Sequence, residues 1–259
     1  MKIAFANIQY QYQLYKNEID KAIQNALDKS HYIMGEEVAQ LESALEKFTG
    51  TKYAMTCSLG IDALLLAMMA LDIKPGDEII TTPFTFIAGD GGAIFTNDES
   101  LAIKMKQLIV HGQNKRYHHE YIGIGIGGRM DTIQCAIVNV KLKYLALRQE
   151  VTSKYTQVLE GRNLILPHID KDFTSSFTQY SVKIKNFDEI QARLKDQGIP
   201  TAVHYKMPLH LQECFEYLGY KKGDFPIAET ITQEIMSLPM NLHVSGENIK
   251  NIAENLVSK

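Results

Sequence analysis

Thr56-Cys57-Ser58-Leu59-Gly60-Ile61-Asp62 passes from an apolar strand candidate through a glycine into an apolar helix. Free backbone N–H groups at such a helix start can face an anion, and the helix dipole favours a phosphate there. An ordinary strand–helix turn reads the same way, so local chemistry alone leaves both open. Gly123-Ile124-Gly125-Ile126-Gly127-Gly128 matches a dinucleotide-binding glycine pattern. That pattern needs a strand before it, and Lys115 to Glu120 is polar and loop-like, so no dinucleotide site is expected. His111, His118 and His119 have no Cys or carboxylate at ligand spacing, and no metal is expected. His204 and His210 flank Pro208 in a predicted surface loop, where either a binding or a structural role fits. No Gly-x-Ser-x-Gly nucleophile elbow occurs.

The elements that must position these residues follow from periodicity. Leu14, Ile19, Ile23, Ala26 and Leu27 recur at helical spacing, as do Val38, Leu41, Leu45 and Phe48, which predicts two amphipathic helices separated near Gly35. Lys52 to Cys57 reads as a strand, Asp62 to Leu71 as a helix apolar enough to be buried on most sides, and Glu78 to Thr82 as a second strand after a Lys74–Asp77 turn. That order is a βαβ unit and implies a parallel sheet. Gly92 to Thr96 is a further strand, with Asn97-Asp98 placed to cap a helix running to Val110. Met130 to Arg148 reads as one long helix. Phe177, Tyr180, Val182 and Ile184 suggest a strand, and helices follow at 187–197, 226–236 and 247–257.

With 259 residues, 45% of them hydrophobic and 22% charged, the composition is that of an ordinary globular protein. The net charge of -3 gives no reason to expect nucleic acid or an acidic membrane surface as a partner. Cys57, Cys135 and Cys214 are odd in number and far apart, which argues against a disulfide framework. The longest apolar run, Ala63 to Leu71, is too short to span a bilayer, and the first residues do not read as a signal peptide. A cytoplasmic protein is the expectation. The weakened pattern around 161–176 marks a boundary between an α/β domain at 1–160 and a small α+β domain at 161–259.

Several segments, taken together, resemble one family. Ser30-His31-Tyr32-Ile33-Met34-Gly35-Glu36-Glu37-Val38 with Leu41-Glu42, Gly60-Ile61-Asp62-Ala63-Leu64, Pro75-Gly76-Asp77-Glu78-Ile79-Ile80 and Phe84-Thr85-Phe86-Ile87-Ala88 are similar to the front of the DegT–StrS sugar aminotransferases. Gly89-Asp90-Gly91-Gly92-Ala93 with Thr96-Asn97-Asp98 resembles a segment lying much further along, just past that family's catalytic lysine. Gly128-Arg129-Met130-Asp131 with Gln134, Gly198-Ile199-Pro200-Thr201, His204-Tyr205 with Pro208-Leu209-His210, and Ser237-Leu238-Pro239-Met240 complete the match. The resemblance covers nearly the whole chain in order. It implies the fold-type I architecture of pyridoxal 5'-phosphate (PLP) enzymes: a large PLP-binding α/β domain with a parallel sheet, a smaller C-terminal α+β domain, and a homodimer. The family reaction moves an amino group from glutamate to a nucleotide-linked keto-sugar, with a lysine that forms a Schiff base with PLP.

The junction at Ala88–Gly89 therefore reads as an internal deletion. In the family the stretch between these segments holds several strands, the Asp that pairs with the pyridine nitrogen and the Schiff-base Lys. The family's Thr after the phosphate-loop Gly is Ile61 here, and its phosphate-reaching Asn matches Gly127. By resemblance, Gly60 and Ile61 would face the PLP phosphate and Phe86 would stack on its ring, while Tyr32, His204, Tyr205 and His210 would border the sugar-nucleotide. No catalytic residue remains, so the resemblance implies a sugar aminotransferase homologue that does not transaminate and whose PLP binding is in question. Two alternatives stand beside it: an active enzyme whose complete chain carries the missing segment, and a non-catalytic dimerisation partner of an intact paralogue.

Overall fold

The computed structural model describes residues 3–85, 90–114 and 120–256. The Ala88–Gly89 junction, Phe86, His118 and His119 lie outside the described residues. Contacts divide the chain into two compact units. The N-terminal unit comprises Tyr15–Ile80 and Ala88–Lys143, and the C-terminal unit comprises Met1–Leu14, Thr81–Ile87 and Tyr144–Lys259.

The N-terminal unit holds most of helix α1 (Ile8–Lys29), helix α2 (Glu36–Thr49), strand β1 (Tyr53–Leu59), helix α3 (Gly60–Ala70), strand β2 (Asp90–Thr96), helix α4 (Glu99–Leu108) and helix α5 (Thr132–Leu142). Gly50 ends α2 at φ 74°, a left-handed position that glycine adopts without Cβ strain, and its N–H bonds Glu46 O. Asp98 caps α4 by accepting the Leu101 N–H at 3.0 Å, as the sequence predicts. Met55, Cys57, Leu66, Ala70, Ala102, Met105, Leu108 and Ile109 form one core cluster, and Val38, Leu41, Met130 and Cys135 a smaller one.

The expected βαβ unit is not formed. Glu78 to Thr82 has no regular structure, and Ile80 is 99% exposed. β1 instead pairs antiparallel with β2, in the register Tyr53↔Thr96, Met55↔Ile94 and Cys57↔Gly92. Strand pairing among the described residues is antiparallel throughout. α3 also departs from expectation. Only Leu66 and Ala70 of it are buried, while Ile61, Leu64 and Leu65 are exposed. An apolar helix is covered only if enough sheet lies beneath it, and two strands leave half of this one bare.

The other edge of β1 is closed without a strand. Ala54 N–H donates to Glu46 Oε1 at 3.1 Å, Thr56 N–H to Glu42 Oε1 at 2.9 Å and Ser58 N–H to Gly128 O at 2.7 Å. The spacing explains the fit. Two strand residues advance about 6.6–6.8 Å and four helical residues about 6 Å, so carboxylates four apart on α2 meet alternate amides of β1. Burial holds the Glu42 carboxyl above its usual range despite the Thr56 amide and Lys106 nearby. Thr56 is buried, so Glu42→Ala orphans its amide and is expected to cost about 1–3 kcal/mol in chemical denaturation. Glu42→Gln keeps an acceptor and is expected to stay within about 1 kcal/mol of the parent.

The C-terminal unit contains helix α6 (Ala146–Leu159), strand β3 (Tyr180–Lys183), helix α7 (Phe187–Asp196), helix α8 (Pro226–Glu234), strand β4 (Ile235–Leu238) and helix α9 (Gly246–Leu256). The sequence predicts one helix from Met130 to Arg148. The structure breaks that helix after Leu142, because α5 buries Cys135 and Val140 in one cluster while α6 buries Val151, Tyr155 and Leu159 in another. β3 and β4 pair antiparallel, Tyr180↔Leu238 through Lys183↔Ile235. β4 occupies the end of what the sequence predicts as helix 226–236. Tyr155 and Tyr180 stack at 5.0 Å in the centre of this core, and the Tyr155 hydroxyl donates to Pro239 O at 2.8 Å. No helix among the described residues is long and apolar enough to cross a membrane.

Candidate ligand-binding site

The residues the sequence singles out fall in both units and are described unit by unit. In the N-terminal unit, Gly60 opens α3 directly after β1, with Leu59 in the extended N-cap position. The helix start therefore presents its first backbone N–H groups as expected. The Ser58 hydroxyl donates to the Asp62 carboxylate across this turn. A carboxylate already satisfies part of the positive helix end, where a bound phosphate would compete with it. Ile61 is half exposed and offers only methyl groups beside that end.

A cavity of about 300 Å3 adjoins the end of β1, lined by Ser58, Leu59, Gly91, Met130, Gln134, Ile137 and Val138. Among the described residues neither lysine nor aspartate lines it. Lys29, Lys104, Lys106 and Lys143 are engaged by the carboxylates of Glu36 and Glu37, Asp72, Glu42 and Glu18. The donor set here does not fit the use the family makes of PLP, which needs one lysine and one aspartate on the same ring. Tyr32 lies between α1 and α2 in the same unit. Its carbonyl accepts the Thr132 N–H at 3.1 Å, the Thr132 hydroxyl accepts the Gly35 N–H at 3.1 Å, and Tyr32 as a whole is 44% exposed. A Cβ at Gly35 would stand 2.7 Å from His31 O, so only glycine fits this crossing.

In the C-terminal unit the loop after α7 carries His204, Tyr205 and His210. The His204 ring is half buried, and its Nδ1 lies 2.8 Å from Ser237 Oγ. Tyr205 meets it edge-on at 5.4 Å. Burial lowers the His204 pKa from its ordinary value, so the ring is neutral at pH 7. His210 is 5% exposed and turned inward: Nε2 is 3.1 Å from Glu229 Oε1, and Phe225 packs on the ring at 4.7 Å. Glu229 also accepts the Gly223 N–H at 2.8 Å and the Phe225 N–H at 3.3 Å. The Gly223 amide first, and then His210, holds its carboxyl below the usual range. Sequence reasoning missed Glu229, Ser237 and Ser181. An isolated Glu on a helix and two Ser in four-residue strands leave no spacing signal.

Among the described residues no three His, Cys, Asp or Glu side chains group as a metal site. His111 takes a left-handed backbone, and its N–H donates to Ile126 O at 3.0 Å, which ties it into the glycine loop.

The DegT/DnrJ/EryC1/StrS aminotransferase family model matches this chain twice, over residues 13–89 and 87–257. The chain belongs to that family. The two matches meet at residues 87–89, where the sequence jumps. A Pseudomonas aeruginosa protein, UDP-2-acetamido-2-deoxy-3-oxo-D-glucuronate aminotransferase, is 30% identical over an alignment of 363 positions that covers 99% of this chain and 100% of the relative. A Geobacillus stearothermophilus pleiotropic regulatory protein is 27% identical over 366 positions, covering 99% of this chain and 98% of the relative. Both alignments far exceed the 259 residues present, so each relative carries a long stretch with no counterpart here. Among solved structures, a DegT DnrJ EryC1 StrS aminotransferase from Brucella abortus superposes with a TM-score of 0.88 at 22% identity, covering 98% of both chains. DesV of S. venezuelae does so at 0.89 and 21%, covering 98% of this chain and 97% of that one. The fold is that of the PLP-dependent sugar aminotransferases, truncated within its larger domain.

Proposed function

We propose that this chain is a sugar aminotransferase homologue that has lost amino transfer and keeps part of the ligand-facing surface. One observation carries the reading: the alignment runs end to end and breaks at residues 87–89, and the family resemblance implies that its PLP lysine and pyridine-nitrogen aspartate belong to the missing stretch. The cavity beside β1 supports it, since among the described residues neither type lines it. PLP acts as an electron sink only when its ring nitrogen has a partner and a base moves the proton. Gly60 and Ile61 are a remnant of the cofactor surface, to which the family resemblance adds Phe86. Tyr32 in the N-terminal unit and, separately, His204 and Tyr205 in the C-terminal unit are remnants of segments that border a nucleotide-linked sugar in the family, and the inward-turned His210 supports its loop through Glu229. On this reading the protein is cytoplasmic and pairs as the family does.

The test is turnover. The purified chain with PLP, glutamate and a UDP-linked 3-oxo sugar is expected to release no 2-oxoglutarate above a protein-free control. Sustained release would overturn the reading and return the chain to the active class.

The exposed Ile61, Leu64 and Leu65 on α3 favour a second reading, a non-catalytic partner of an intact paralogue that covers this face. Co-expression with such a paralogue then yields a mixed dimer by mass, and separate elution of the two chains counts against it.

A further inference from the structure

β4 is held on both sides. Ser181 of β3 stands opposite Ser237, and Ala202 pairs with Ser237 from the other side through N–H···O bonds of 2.8 and 3.1 Å. Ser237 is fully buried, so its hydroxyl has few directions left. That oxygen lies 2.8 Å from Ser181 Oγ and 2.8 Å from His204 Nδ1. His204 follows Ala202 by two residues, which brings its ring back to the same side of the chain. Phe5 at 6.3 Å and Tyr205 at 5.4 Å border the ring, which limits its rotation.

Two proton arrangements satisfy these distances. In one, His204 Nδ1–H donates to Ser237, which donates to Ser181. The Ser181 proton is then left without an acceptor in the protein, since Ser237 is the one hydrogen-bond partner of its Oγ among the described residues. In the other, Ser181 donates to Ser237 and Ser237 donates to an unprotonated Nδ1. Both hydroxyl protons are used, and the imidazole proton sits on Nε2. The second arrangement makes more bonds from the same atoms, and it suits a ring that burial keeps neutral. Nε2 makes no hydrogen bond among the described residues and is not one of the buried unpaired atoms, so it faces solvent.

We propose that Ser181 and Ser237 form a hydroxyl relay that fixes His204 with its proton on Nε2, so that the loop presents a neutral N–H donor to an acceptor oxygen of the bound ligand. Ser181 and Ser237 are positioning residues, and His204 is the contact. A donor held this way selects a carbonyl, ether or phosphate oxygen and gives nothing to a group that can only donate. The ligand half of this proposal rests on the reading of a retained sugar-nucleotide surface. The tautomer half does not.

The experiment is multiple-bond 1H–15N correlation on the 15N-histidine chain at pH 8, with the His204 ring assigned by its loss in His204→Gln. The expected pattern has the proton on Nε2. A ring protonated on Nδ1 would overturn the relay whatever any variant does. Ser237→Ala is expected to release the ring into a mixture of tautomers, and Ser237→Thr, which keeps a hydroxyl, to restore the single one. An unchanged single tautomer in Ser237→Ala also counts against the relay. Should Ser237→Ala fail to fold, the wild-type tautomer and the Thr variant still decide. Adding UDP-N-acetylglucosamine is expected to shift the Nε2–H signal, with binding about three- to tenfold weaker in His204→Phe, the worth of one neutral hydrogen bond. A fixed Nε2 tautomer with no shift would remove the ligand half alone. The turnover assay is independent of both results.

Discussion

No lysine of this chain is expected to carry a pyridoxyl group at stoichiometric level after incubation with PLP and reduction with borohydride. Lys29, Lys104, Lys106 and Lys143 of the N-terminal unit are paired with carboxylates, and among the described residues the cavity at the end of β1 has neither lysine nor aspartate in its lining. Surface lysines react weakly and unselectively, so peptide mapping is expected to find low labelling spread over several sites. The rate consequence is large. General acid–base help alone contributes about 10²–10⁴-fold, and without the lysine both that and covalent catalysis are lost. A single labelled lysine peptide at one equivalent would mean that a distant residue has taken over the role.

Tyr155→Ala is expected to unfold the C-terminal unit or bring it close to unfolding. Tyr155 is fully buried, stacks on Tyr180 and donates to Pro239 O, so the truncation removes a ring, a stacking partner and a donor together. Removing a buried aromatic ring costs about 3–5 kcal/mol, a large share of a small domain's stability. Tyr155→Phe removes only the hydroxyl and is expected to cost about 1 kcal/mol. Denaturant titration followed by tyrosine fluorescence or circular dichroism measures both. Equal losses in the two variants would place the energy in the hydrogen bond instead of the ring. His204 adds a pH dependence to the same unit. Its folded pKa lies below the unfolded value of about 6.5, so the unfolded chain binds more protons, and the contribution is lost as pH falls below that value.

The sequence told most where several local signals agreed. Asp98 before α4 and the turn at Lys74–Asp77 each carry their own chemistry, and the structure has them where the residues predict. The family motifs were legible because they lie in order along nearly the whole chain. What failed depended on absent partners. Glu78 to Thr82 has strand composition, but a strand needs a neighbour, and composition does not reveal whether one exists. The same absence left α3 half bare. Side chains acting across the fold were invisible for a different reason. Glu42 and Glu46 read as the polar face of a helix, and only the folded geometry turns them toward the amides of Thr56 and Ala54. β4 begins inside the helix predicted at 226–236, which hid the strand, and only the folded geometry turns the Ser237 hydroxyl toward His204.

The two carboxylates on α2 also govern how this protein can associate. Gly91, Ala93 and Phe95 turn their amides away from β1, and among the described residues nothing accepts them. That side of the sheet can take another strand, and its run from Gly91 to Thr96 has no charge or proline to discourage one. The opposite side cannot, because Glu42, Glu46 and Gly128 already hold its donors. A sheet with one open side is like a polymer with one blocked end. Two copies joined through β2 exhaust the available edges, whereas two open sides would let the pairing continue into fibres. Self-association by this route stops at a pair, visible by light scattering as a dimer mass that does not grow with time.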